Sequence, residues 1–164
     1  MQLSNPSKRK HIHTRRIECL GYERDDGLWD IEGQITDTKT YSFENEDRGK
    51  VKIGEPVHNM LVRLTVDDNL IIQKAEAITS FSPFNICPKI SNTVETLKGL
   101  KITAGFTKSV KERIGGTRGC THITQLITGP LATTAYQTIT PLLFARKKKR
   151  RGLGKPSIID TCYG

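Results

Sequence analysis

The order of residue patterns predicts an α+β fold, with an antiparallel sheet in the first half and two to three helices packed on one of its faces. Two observations carry it. Residues 15–81 alternate or run β-branched between turn signals, whereas residues 88–139 place apolar side chains three and four apart. Strands followed by helices, with no internal repeat, fit helices covering one side of a sheet.

The elements follow in order. RRIECLGYER and LWDIEGQITDTK flank a turn at Asp25–Gly27 and predict a first β-hairpin. Residues 41–55 form a charged loop with a short strand. VHNMLVRLTV puts Met60, Val62, Leu64 and Val66 on one face, turns at Asp67–Asn69, and returns through LIIQKAEAITSF as a second hairpin. ICPKISNTVETLKGL then reads as a helix, with Pro88 suited to its first turn and Gly99 to its end. A shorter helix holds Phe106 and Val110 and stops at Gly115–Gly116. A last helix starts at about Thr121, carries Ile123, Leu126, Ile127, Leu131, Ala135 and Ile139 as its stripe, and bends at Pro130. Three segments result: a flexible basic arm over 1–14, one domain over 15–144, and a basic disordered tail over 145–164.

Composition narrows the function classes. The chain has 164 residues, 35% of them hydrophobic, enough for a core without metals or disulfides. No apolar run reaches membrane-spanning length, and the basic start is not followed by an apolar signal core, so the expected location is the cytoplasm. Cys19, Cys87, Cys120 and Cys162 are then expected as thiols. The net charge is +9, yet Arg146–Arg151, RKKKRR, supplies six positive charges, leaving +3 for the rest. Weak nucleic-acid contact through that run is one reading, and a solvated tail is the other.

The chemistry concentrates around GGTRGCTH, residues 115–122. Cys120 and Cys87 each fall at a predicted helix entrance, where unpaired amides and the helix dipole favour a thiolate. His122 follows Cys120 by two, and His58 begins the predicted central strand. Zinc and iron accept this mixture of thiolate and imidazole, so His58, Cys87, Cys120 and His122 are the candidate metal ligands. The first alternative to a metal site is Cys120 as a nucleophile, with His58 or His122 as its base. Buried cysteines that merely pack are the plain alternative. Arg113 and Arg118 flank the glycine turn and would attract an acidic small molecule or protein partner. Asp25, Asp26, Asp30, Asp67 and Asp68 read as turn residues. No GxxxxGK[ST], GxSxG or HExxH motif is present.

Two resemblances bear on these residues. YERDDGLWDIEG, then HNM at 58–60, then GCTH at 119–122 resemble, in that order, the bacterial family catalogued as domain of unknown function 2889. Over residues 54–139, LTVDDNLIIQKAEAIT followed by Cys87, KG, Cys120 and LATTAYQTI is similar to U-type iron–sulfur scaffold proteins. That second resemblance implies Cys87 and Cys120 as the second and third cluster ligands, with His58 near the place of the first. It departs from the pattern in having no first cysteine and in having Gly119 where a histidine usually stands. The reading that joins residues and resemblances is a protein holding zinc, iron or an iron–sulfur cluster on a His/Cys/Cys site with an open coordination position.

Overall fold

The computed structural model describes residues 3–151. β1 (His13–Glu23) and β2 (Trp29–Lys39) make the first hairpin, and β5 (Pro56–Val66) and β6 (Ile72–Phe81) make the second. They join as one antiparallel sheet in the order β1-β2-β5-β6, beside a small ribbon of β3 (Phe43–Asn45) and β4 (Gly49–Val51). The turns work as their residues dictate. Asp67 accepts from the Asn69 and Ile71 amides at 2.8 and 3.0 Å, and Arg24 ties Asp26 and Asp30 across the first turn. Trp29, fully buried, donates its indole N–H to Asp68 at 2.9 Å and so links the two hairpins.

Period-two alternation sets the buried face. Trp29, Ile31 and Ile35 on β2 and Met60, Val62, Leu64 and Val66 on β5 all point into the core. The helical half closes over them with Leu97, Val110, Ile114, Leu126, Leu131 and Ile139. Glycine decides how closely. A Cβ on Gly33 would lie 2.8 Å from Leu131, and one on Gly21 would collide with Thr138. Two bare positions on the inner face therefore let the last helix lie against β1 and β2.

The helices depart from expectation in two places. Instead of one helix to Gly99, α1 (Cys87–Ile90) passes into a 3-10 helix over Ser91–Leu97. Thr93 and Thr96 donate to the carbonyls of Ile90 and Thr93, three residues back, and this local bonding suits the tighter winding. α2 (Phe106–Ile114) ends at Gly115 as predicted. α3 (Thr121–Leu126) runs through a π turn, Ile127–Leu131, into α4 (Ala132–Arg151). Pro130 lacks an N–H, and the helix widens around it.

Both predicted chain boundaries move. β1 begins at His13, because His13 pairs with Lys39 and the Thr40 amide still bonds to Ile12. α4 continues through the basic run to Arg151, since Lys and Arg are good helix formers and their charge suits a helix C-terminus. Arg146 is anchored there: it bonds both Glu23 oxygens at 2.6 and 2.7 Å and lies 5.6 Å from the centre of the Trp29 ring. The rest of the expected tail, residues 152–164 with Cys162, lies outside the described residues, as do residues 1 and 2. Among the described residues no helix is long and apolar enough to cross a membrane.

Candidate functional site

The inner face turns polar at one end. Continuing the alternation past Ile35 brings Asp37 onto the buried side of β2, and counting back from Met60 brings His58 onto the same side of β5. The register sets Arg15 opposite Asp37 and Asp37 opposite His58, a polar row across three strands. Asp37, 1% exposed, accepts two hydrogen bonds from Arg15, both at 2.8 Å, and one from His58 Nδ1 at 3.0 Å. His13 Nε2 stands 3.3 Å from its other oxygen.

This row fixes protonation. Burial is the largest influence on Asp37 and pushes its pKa up, but the bonds and charge of Arg15, joined by His58, outweigh it and hold the carboxyl below its ordinary value. A carboxylate only accepts, so the His58 proton sits on Nδ1 and the Nε2 lone pair is left for a ligand. Burial lowers the His58 pKa more than the Asp37 charge and hydrogen bond raise it, so the ring is neutral at pH 7. His122 is also lowered, by burial first and then by His58 and Arg15.

The GGTRGCTH stretch supplies the other wall. Cys120, in extended conformation, caps α3, and its carbonyl receives the Thr124 amide at 2.9 Å. His122 in the first turn packs against His58, with ring centres 3.9 Å apart and planes tilted by 37°. One ligand atom each from Asp37, His58 and His122 lies within 4.8 Å of the others. Cys120 Sγ is 3.9 Å from His122 Nδ1 and 3.9 Å from Met60 Sδ, at the margin of the group.

The structure thus brings together three of the four residues singled out in the sequence: His58, His122 and Cys120. Cys87 is not in the group. It opens α1 half-buried, beyond the end of β6, with its amide bonded to the Phe84 carbonyl. Asp37 was missed, although a carboxylate in phase with Trp29, Ile31 and Ile35 was a readable signal. The flanking arginines bond to the backbone. Arg113 binds the carbonyls of Thr96 and Lys98, and Arg118 that of Lys111 in α2, so each guanidinium group gives part of its donor set to holding the fold.

These shifts share one sign. The unfolded chain binds more protons than the folded one wherever a folded-state pKa is depressed, so stability falls on acidification. The expected result for the metal-free protein is a urea midpoint that is flat above neutrality, declines below about pH 6.5 as His58 and His122 titrate in the unfolded state, and declines again below about pH 4 through Asp37. The His58→Ala/His122→Ala double variant should lose the first decline and keep the second.

Fold and site together define a small α+β protein that presents a carboxylate-backed histidine pair, with a thiol beside it, at one end of a four-stranded sheet. The chain belongs to the family described as protein of unknown function (DUF2889), whose model matches residues 13–137. No curated protein and no solved structure matches the chain significantly, so the likeness to U-type scaffold proteins gains no support from these comparisons.

Proposed function

We propose that this protein binds a single transition-metal ion, zinc or iron, through His58 Nε2 and His122, with Cys120 as a thiolate ligand at the edge of the site. The observation that supports the reading is the packing of the His58 and His122 rings, 3.9 Å between centres, beside the Asp37 carboxylate, with one ligand atom of each of the three within 4.8 Å of the others. Asp37 stands behind His58 as an orienting carboxylate, because its oxygens are already engaged by Arg15 and His58. Two imidazoles and one thiolate leave a coordination position open, which suits catalysis or ligand capture better than a closed structural site. A mononuclear ion fits this donor set better than an iron–sulfur cluster, which draws on several thiolates.

The test is metal content of the full chain purified without added metal, followed by zinc and cobalt(II) titration. Near-stoichiometric metal is expected, falling to background in His58→Ala and His122→Ala and unchanged in Cys87→Ser. Cobalt-loaded protein should show a thiolate charge-transfer band that Cys120→Ser abolishes. Absence of metal uptake by the folded wild type would sink the reading.

A second reading rests on the 3.9 Å separation of Cys120 Sγ and His122 Nδ1: a cysteine nucleophile with a neutral histidine as its base. It predicts rapid alkylation of Cys120 that slows in His122→Ala and is indifferent to chelators. Metal ligation predicts that chelators speed it.

A further inference from the structure

The two edges of the sheet are treated differently. At the start of β6, residues 99–102 lie beside residues 70–72 and bond to them: the Gly99 amide to Ile72, and the Ile72 and Ile102 amides to Leu100 and Leu70. Thr79 further bonds to Ser91 of the 3-10 helix at 2.8 Å. The pairing of β6 with β5 also shifts register twice. β1 has none of these protections. Its eleven residues hold one unbroken register with β2, without proline, lysine or bulge.

Which backbone groups face outward follows from the flanking bonds. Thr40 donates to Ile12 and Arg24 donates to Leu28, both in the same register as the strand. Antiparallel pairs alternate, so even-numbered β1 residues turn their amides and carbonyls to β2, and the odd-numbered ones from His13 to Glu23 turn theirs outward. Among the described residues one side chain reaches them, His11 Nε2 at the His13 carbonyl. The edge also carries exposed apolar side chains: Ile17 and Leu20, each 44% exposed, and Tyr22 at 46%.

We propose that β1 pairs with β1 of a second copy of this chain, antiparallel about a two-fold axis at Ile17, to make a continuous eight-stranded sheet. Charge selects both occupant and register. Only pairings that set outward-facing residues against each other complete the ladder, which places the axis at a residue. Centred on Ile17, Arg16 stands opposite Glu18 of the partner subunit, and the same pair recurs across the axis. Centred on Glu18, two carboxylates would face each other; centred on Cys19, Arg16 would meet Tyr22 of the partner subunit, and Arg15 would stand opposite Glu23 of the partner subunit, although Arg15 is already held by Asp37 and Glu23 by Arg146 within each chain. The Ile17 register also sets Ile17 against itself on the inner side. Arg15, the end of the polar row, then lies in the interface.

The test is the mass of the full chain by analytical ultracentrifugation across the micromolar range, for wild type, Arg16→Glu, Glu18→Arg and the double variant. Wild type should dimerise. Each single variant should weaken the dimer by about tenfold or more, and the double variant should restore it. Ile17→Asp, at an exposed position, should stay folded by circular dichroism and be monomeric. A wild type that is monomeric throughout, a dimer indifferent to the single variants, or a double variant that restores nothing would each overturn the proposal.

Discussion

In the Asp37→Asn variant, zinc affinity is expected to fall by about tenfold to a hundredfold, and stability at neutral pH by about 2–3 kcal/mol. The size follows from what one carboxylate holds. Asp37 is almost fully buried and is the acceptor for Arg15, for His58 and, at 3.3 Å, a partner for His13. Asparagine keeps the shape but offers one acceptor oxygen and two unwanted N–H donors. The Arg15 fork loses its counter-charge, although partial exposure lets water take some of it up, which places the cost below that of a fully buried pair. His58 loses the interaction that fixes its proton on Nδ1, so its Nε2 lone pair is no longer assured. Nitrogen-15 spectra of the imidazoles should show a changed tautomer balance at His58, and chelator competition should read the affinity loss. An unchanged affinity would remove Asp37 from any part in holding the ligand.

The sheet was legible because β2 and the middle of β5 alternate, β6 is rich in β-branched residues, and the turns between strands carry residues whose side chains close the turn themselves, as Asp67 does. The inner face could be read to its last apolar residue, Ile35 or Met60, and there the reading stopped. Asp37 and His58 are the next positions in phase; His58 was found by its residue type, whereas Asp37 was missed because a pattern search that follows apolar residues ends where the chemistry begins. Arg15 was invisible for another reason. Its role exists only through pairing with Asp37, twenty-two residues away, and a register is a tertiary fact. His122 was caught by proximity to Cys120 in sequence. Cys87 shows the limit of that method, because a thiol at a helix entrance needs an element that carries it to the other ligands, and α1 is a single turn beyond the sheet end. The basic run misled through composition alone, since Arg146 gains a fixed partner in Glu23 that no local pattern announces.

The largest structural effect in the site is expected from Gly119→Ala, which should cost about 3 kcal/mol and displace Cys120 and His122 together. Gly119 is in extended backbone, a conformation alanine adopts freely, so the obstacle is space: its Cβ would collide with the Ile114 carbonyl oxygen at the end of α2. That carbonyl cannot swing aside cheaply, because Thr124 Oγ1 of α3 also donates to it at 3.2 Å. The loop must therefore bow outward, and the next residues to move are the cap of α3 and the histidine in its first turn. Gly116→Ala is the control. Its positive φ of 61° strains alanine by about 1 kcal/mol, but open space surrounds the position, so the loop keeps its path. Urea unfolding should rank Gly119→Ala well below Gly116→Ala in stability, and metal content should fall in the first and hold in the second. If both variants bind alike, the spacing of GGTRGCTH serves the packing of α2 against α3 alone, and the histidine pair forms without its help.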